Sequence, residues 1–143
     1  MATSWRSYHG TSSAVATDLA AGRVKVDQGG GELGRGFYTG EHLYEAKAWA
    51  FSRTGDKQNN VVEFVTPEDQ IESLSILPLD RGTAALHRAR IKQLSETRTY
   101  KFSFDLVWAP IVGSERVTGD QFKWESSQAG ALLNGNDSFR NVL

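Results

Sequence analysis

The sequence predicts an α+β fold, built as one domain over residues 1–143. Segments with the pattern of short strands outnumber segments with helical periodicity, and the two kinds follow one another without regular alternation. A parallel α/β sheet requires that alternation, so the observed order favours α+β. The length of 143 residues is that of one ordinary domain, long enough to bury a core.

The predicted strands are short and rich in β-branched or aromatic residues. Residues 61–65 are the clearest strand, because valine and phenylalanine dominate and Pro67 stops the run. Apolar and polar residues alternate at 74–77, which predicts another strand. The remaining predicted strands are residues 6–9, 36–39, 102–112, 121–125 and 139–143, with a brief extended segment at 24–26.

The predicted helices are placed by capping residues and by the spacing of apolar residues. Ser12 and Ser13 supply capping hydroxyls for a helix that runs through Ala21 and is closed by Gly22. In residues 41–51 the apolar side chains recur at helical spacing, as in an amphipathic helix docked on a sheet. Two further helices are predicted at 82–93, which ends in a basic turn, and at 126–133.

A glycine-rich loop lies at residues 28–34 and a polar loop at 53–60. The glycines predict a mobile loop that can approach a ligand closely. No Gly-Lys-Ser/Thr follows, so this is not a phosphate-binding loop of the P-loop type.

The composition argues against several kinds of site. With 16 Lys and Arg against 17 Asp and Glu, the chain does not have the basic excess of a polyanion-binding surface. The absence of cysteine removes disulfides, thiolate metal sites and cysteine nucleophiles. His9, His42 and His87 lack metal-ligand spacing, so no metal is expected. No apolar run approaches the ~18 residues of a membrane helix, and no membrane partner is expected.

Two short motifs carry the functional prediction. They are Ser-Tyr-His-Gly-Thr at residues 7–11 and Arg-Gly-Phe-Tyr-Thr at residues 35–39, with Trp49 on the predicted helix that follows. Their order and spacing resemble the NAD⁺-binding core of diphtheria-toxin-like ADP-ribosyltransferases and, more loosely, of poly(ADP-ribose) polymerases. The resemblance covers residues 7–50 and returns more faintly at 120–133.

This resemblance implies a role for each residue of the motifs. His9 would bond the adenine-side ribose, and the Gly10 backbone would bond the nicotinamide carboxamide. Tyr38 and Trp49, a tryptophan where the family usually has tyrosine, would stack on the nicotinamide ring, while Arg35 would bond a pyrophosphate oxygen. The implied catalytic residues are His9, Tyr38 and Gln121, and the implied cofactor-binding residues are His9, Gly10, Thr11, Arg35, Gly36, Phe37, Tyr38 and Trp49.

The third catalytic position departs from the family, which has a glutamate where this chain has Gln121. A glutamine can bond a ribose hydroxyl but carries no charge and cannot act as a base. Strand alternation puts Glu125 on the same face, so it is an alternative acid, and Asp120 is another if the register differs by one residue. Otherwise Glu125 is expected to be a surface carboxylate beside the cap of the next helix.

The resemblance implies a fold of two packed, mainly antiparallel sheets around an NAD⁺ cleft, and an enzyme that breaks the nicotinamide–ribose bond. ADP-ribose would pass to a macromolecule, with an elongation factor or another protein as leading acceptor and RNA as runner-up. NAD⁺ glycohydrolysis and non-catalytic binding of NAD⁺ or ADP-ribose are the alternatives. A toxin or effector of this kind would act in the cytoplasm of a target cell, delivered as part of a larger protein, and could have a cognate immunity protein.

Overall fold

A computed structural model describes residues 3–114 and 117–143 of the chain. The predicted α+β class is confirmed, with seven strands and five helices among these residues. In chain order the elements are β1 Ser4–Gly10, α1 Ser13–Ala20, β2 Phe37–Gly40, α2 Leu43–Thr54, β3 Val61–Pro67, α3 Glu68–Glu72, β4 Ile76–Pro78, α4 Arg81–Gln93, β5 Leu106–Pro110, β6 Asp120–Trp124, α5 Ser127–Asn134 and β7 Phe139–Val142.

The sheet differs from the resemblance-based expectation of two packed sheets. The seven strands form one mixed sheet in the order β4-β5-β6-β2-β1-β3-β7. Only β4 and β5 are a parallel pair among the strand pairs whose register is described; the others are antiparallel. Three details also differ: β5 begins later than residue 102, residues 24–26 form no strand, and a short helix that was not predicted, α3, follows Pro67.

The chain divides into two compact units, each built from separate stretches of sequence. Unit 1 comprises Met1–Val24, Thr39–Ser73 and Ala131–Leu143, and unit 2 comprises Lys25–Tyr38 and Leu74–Gly130. Every helix of the described part is too short or too polar to cross a membrane.

In unit 1, β3 lies between β1 and β7. β1 pairs antiparallel with all of β3, from Ser4 opposite Pro67 to Gly10 opposite Val61. β7 pairs with the other edge of β3. The apolar side chains of β3 are buried with those of the surrounding helices: Ala16, Leu19, Ala50, Val61, Val62, Phe64, Val65, Ile71 and Leu133.

In unit 2, β5 pairs parallel with β4 and antiparallel with β6, where Ala109 lies opposite Gln121. Leu33, from the glycine-rich loop, is fully buried beside Ala84 of α4 and Val107 of β5. A loop residue is therefore part of the core of this unit.

Candidate functional site

The first motif lies at the carboxyl end of β1 in unit 1. His9 lies opposite Val62 of β3. Thr11 follows the strand, and its backbone N–H donates to the Asn60 carbonyl at 2.8 Å. His9, Gly10 and Thr11 are all partly exposed.

Gly10 is also the position where α2 packs on β1. A Cβ built on Gly10 would overlap the carbonyl oxygen of Ala46 and lie 3.2 Å from the Cβ of Ala50. Ala50 is fully buried. The close packing of helix and strand therefore requires glycine here, and the contact with a nicotinamide carboxamide stays a prediction.

Trp49 lies on α2 with its side chain in solvent. The residue is 52 % exposed, and the Arg53 guanidinium carbon lies 5.1 Å from the centroid of its ring. A cation of the chain itself therefore lies over part of this ring.

The second motif lies in unit 2, where Tyr38 is bonded to the glycine-rich loop. The Tyr38 hydroxyl donates to the Gly34 carbonyl at 2.5 Å and accepts from the Leu33 N–H at 3.1 Å. Gly31 lies against the ring, since a Cβ built there would be 2.7 Å from Cζ of Tyr38. Burial raises the pKa of the Tyr38 phenol, which therefore stays protonated and remains a donor.

The other residues of this motif serve to dock the loop. The Arg35 N–H donates to the Tyr100 carbonyl at 2.9 Å. Gly36 lies against β6, where a Cβ would be 2.7 Å from Cγ of Lys123, and Phe37 is buried. The loop was predicted to be mobile, whereas in the structure the Gly31 N–H donates to the Thr97 carbonyl at 3.1 Å and the Arg98 side chain donates to the Gln28 carbonyl at 2.6 Å.

Gln121 lies in β6 with its side chain almost completely buried, at 7 % exposure. Its Nε2 donates to Oε1 of Glu32 and to the Pro110 carbonyl, the latter at 3.2 Å. The glycine-rich loop thus places a carboxylate directly beside the Gln121 amide.

Glu32 is the functional candidate that the sequence reasoning missed. Its Oε1 also accepts from the Val112 N–H at 3.0 Å, and its Oε2 lies 3.5 Å from Nε of Arg88. Glu32 is the one acidic residue within residues 28–34, and this feature of the sequence could have identified it as a candidate. A cavity of about 250 Å³ lined by Glu32, Arg88, Lys92 and Thr97 lies beside it.

Glu125 is buried, which corrects the expectation of a surface carboxylate. Its side chain forms an ion pair with the fully buried Lys123 at 2.7 Å and accepts from the backbone N–H groups of Phe102 and Ser103 at 2.9 and 2.7 Å. Burial lowers the pKa of Lys123, while the pairing with Glu125 opposes that shift. Both carboxylate oxygens are engaged, so Glu125 holds a loop in place.

Asp120, the other alternative acid, also has a partner. Its Oδ2 accepts from the indole Nε1 of Trp108 at 2.7 Å, across the β5–β6 pair. Of the acidic residues near Gln121, Glu32 is the one whose carboxylate contacts the Gln121 amide.

Two of the three predicted catalytic residues contact the same segment of the chain. Within unit 2, Tyr38 bonds to Leu33 and Gly34, and Gln121 bonds to Glu32, so both contact the same three-residue stretch. His9, Gly10, Thr11 and Trp49 belong to unit 1.

Comparison with known proteins adds no family to this picture, because the chain matches no protein-family model and no curated protein sequence. Over residues 3–114 and 117–143, no three metal-ligating side chains lie together.

Proposed function

We propose that this protein cleaves the nicotinamide–ribose bond of NAD⁺ and transfers ADP-ribose to a macromolecule. The observation that supports the proposal most is that Tyr38 and Gln121, which lie in distant parts of the sequence, bond to the same stretch of loop in unit 2. A second observation is that β1, which carries His9, is antiparallel to β2, with Tyr8 opposite Gly40.

In the proposed reaction the C1′–N1 glycosidic bond breaks, and its electron pair leaves with neutral nicotinamide. The ribose carbon becomes cationic in the transition state and is attacked by a nucleophilic oxygen or nitrogen of the acceptor, which loses a proton to solvent or to a nearby base. Electrostatic stabilisation of that developing cation is the main task of the site.

Each candidate residue has a defined task in this scheme. Tyr38 supplies an aromatic face for the nicotinamide ring, and Trp49 supplies another for a cationic ring. His9 bonds a ribose hydroxyl, and Arg35 bonds a pyrophosphate oxygen. Gln121 accepts a hydrogen bond from a hydroxyl of the nicotinamide-side ribose, which fixes the ribose without itself carrying charge.

The acceptor that we propose is a protein, with a translation component such as an elongation factor as the leading candidate. This assignment comes from the resemblance to diphtheria-toxin-like enzymes. The α+β fold class does not specify an acceptor, because function lies in the site. Such an enzyme would act as a toxin or effector in the cytoplasm of a target cell, and an immunity protein would be its natural partner.

One observation favours a second candidate, a non-catalytic module that binds NAD⁺ or ADP-ribose. Gln121 is neutral, and both hydrogens of its amide are engaged by Glu32 and Pro110. A site whose ribose-binding residue carries no charge could retain affinity for NAD⁺ while turnover is lost, because a charge at that residue acts mainly in the transition state.

The two candidates are separated by incubating the purified protein with a cell lysate and NAD⁺ labelled in its adenosine part. Transfer predicts a labelled protein band and stoichiometric release of nicotinamide, whereas a labelled RNA would change the acceptor. Free ADP-ribose alone indicates NAD⁺ glycohydrolysis. Binding of NAD⁺ without nicotinamide release selects the non-catalytic module.

A further inference from the structure

The amide of Gln121 is held in one orientation by two acceptors. Nε2 donates to a Glu32 carboxylate oxygen and to the Pro110 carbonyl, at 3.2 Å for the latter. The opposite orientation would put the amide oxygen against two groups that cannot donate. Because both partners are acceptors, the amide nitrogen faces them and the amide oxygen points the other way.

This orientation turns Oε1 away from both of these acceptors. No hydrogen-bond partner is found for Oε1 of Gln121 within the residues that the structure describes. An amide oxygen accepts hydrogen bonds and cannot donate them. Oε1 of Gln121 is thus suited to a donor such as a ribose hydroxyl.

Glu32 is itself held in place on the other side. The Val112 N–H donates to the oxygen that Gln121 contacts, at 3.0 Å, and Nε of Arg88 lies 3.5 Å from the other oxygen. Gly113 leaves room for this carboxylate, because a Cβ there would overlap the second Glu32 oxygen. The contact is therefore built from four separate stretches of unit 2 rather than from one flexible surface pair.

We propose that Glu32 is a positioning residue for Gln121: its carboxylate orients the amide so that Oε1 meets the nicotinamide-side ribose, and supplies the negative charge that Gln121 lacks. This inference rests on the proposed NAD⁺ cleavage. A hydrogen bond to a carboxylate polarises the amide and increases the electron density on its oxygen. The Glu32 carboxylate therefore stabilises the ribosyl cation indirectly, through the polarised amide of Gln121.

The pair also explains why a glutamate is unsuitable at position 121 in this chain. A carboxylate there would face the Glu32 carboxylate and the Pro110 carbonyl with no hydrogen to donate, and two carboxylates in contact repel. A glutamate at 121 becomes acceptable only when residue 32 provides the donor. The identities of the two residues are therefore coupled, and exchanging them should preserve the hydrogen bond.

The test uses four full-length proteins: wild type, Glu32→Gln, Gln121→Glu and the exchange variant Glu32→Gln/Gln121→Glu. Melting temperature and steady-state NAD⁺ cleavage are measured for each. Glu72→Gln, at the exposed end of α3, is the matched control, because it removes the same charge far along the chain from the pair.

We expect Glu32→Gln to lower kcat about tenfold or more, with KM changed less than about threefold, because a poorly oriented amide affects the transition state more than binding. Gln121→Glu should lower the melting temperature and abolish cleavage. The exchange variant should recover a melting temperature above that of Gln121→Glu and part of the lost kcat. Glu72→Gln should match the wild type in both measurements.

Two results overturn the inference in distinguishable ways. If the wild type cleaves NAD⁺ and Glu32→Gln keeps its kcat, or the exchange variant is no better than Gln121→Glu in both measurements, the positioning role is wrong and the proposed function stands. If the wild type cleaves no NAD⁺ under any condition, the proposed function fails and the positioning role fails with it.

Discussion

Gly10 shows how one residue can satisfy a predicted motif and a packing requirement at once. The sequence pattern singled it out as a ligand contact, yet the structure gives it a neighbour within its own unit, the Ala46 carbonyl of α2. A bulky substitution at Gly10 would therefore disturb the α2–β1 contact whether or not NAD⁺ binds. It cannot serve as a steric probe of the ligand site.

Gly10→Ala should accordingly destabilise the protein by about 1–3 kcal/mol, because overpacking forces the helix away from the strand. Gly82→Ala is the matched control: Gly82 lies in α4, and its Cβ would be 3.6 Å from the nearest described atom, an oxygen of Asp80. That control should be neutral or stabilising by up to about 1 kcal/mol. Chemical denaturation of both variants checks the prediction, and equal stability of the two would contradict it.

The buried ion pair of Lys123 and Glu125 makes a prediction about pH. Burial lowers the folded-state pKa of Lys123 below its ordinary value of 10.5. At a pH between the folded-state pKa and the ordinary pKa of Lys123, the unfolded chain still holds the proton and the folded chain has released it. The free energy of unfolding therefore rises with pH across that window. Below the window both states are charged, and the folded state carries the full cost of the buried cation.

The comparison protein is Lys123→Met/Glu125→Gln, in which neither position titrates. Free energies of unfolding are measured from about pH 8 to about pH 10.5. As pH rises, the free energy of unfolding of the wild type should increase relative to that of the variant. A constant difference, or a shift towards the variant, would show that the folded-state pKa of Lys123 is not depressed.

At the scale of elements, the glycine-rich loop is the segment whose structure departs most from its sequence pattern. Seven residues with four glycines predict mobility. The structure anchors the loop instead, through Leu33 in the core and through the Tyr38 hydroxyl. The glycines allow the loop backbone to pack closely against neighbouring groups; Gly31, for example, lies against the Tyr38 ring.

Removing that hydroxyl should loosen the loop. In Tyr38→Phe the Leu33 N–H loses its acceptor, so its hydrogen exchange should speed up, and stability should fall by about 1 kcal/mol. Tyr8→Phe is the control, since the Tyr8 hydroxyl bonds to Glu63 at 3.3 Å in unit 1. Exchange of the Leu33 amide should be unchanged in that control. Unchanged exchange in Tyr38→Phe as well would mean that the loop is held by its other contacts.

The helices and most strands could be predicted because their signals are local. Ser12 caps α1 by accepting from the Val15 N–H at 3.2 Å, and Gly22 adopts a φ of +86° after the helix, as its position indicated. Valine content identified β3. These features need no knowledge of distant partners.

The late start of β5 could not be predicted in this way. The residues before it have strand-like composition, but the N–H groups of Phe102 and Ser103 bond to Glu125, and Ser103 has a φ of +65°. The competing partner lies more than twenty residues away in sequence. Glu32 beside Gln121 was missed for the same reason, at a separation of 89 residues.

At the scale of the whole molecule, NAD⁺ binding is the property that most directly tests the reading of the motifs. A ligand that binds only the folded state raises stability by ~2.7 kcal/mol at a concentration of 100 Kd. Wild-type protein should therefore melt at a higher temperature with NAD⁺. Because Trp49 is half exposed, Trp49→Ala should leave the ligand-free melting temperature nearly unchanged.

The same variant should bind NAD⁺ about tenfold more weakly, because it loses one aromatic face worth ~1–2 kcal/mol. Tyr44→Ala is the control, an aromatic residue of the same helix that is 64 % exposed. Titration calorimetry and melting with NAD⁺ should distinguish Trp49→Ala from both wild type and Tyr44→Ala. Equal affinities in all three proteins would remove Trp49 from the proposed site.

The position of β7 in the sequence has a consequence for synthesis on the ribosome. β3 pairs with β7 through Val62 opposite Val142 and Val65 opposite Phe139, so the partner of one strand edge is made about 70 residues later than the strand itself. At roughly 5–20 residues per second, that edge waits for about 4–14 s during translation. A nascent chain with an unpaired, valine-rich edge is open to pairing with neighbouring chains. Slow translation between β3 and β7 should therefore lower the yield of soluble protein.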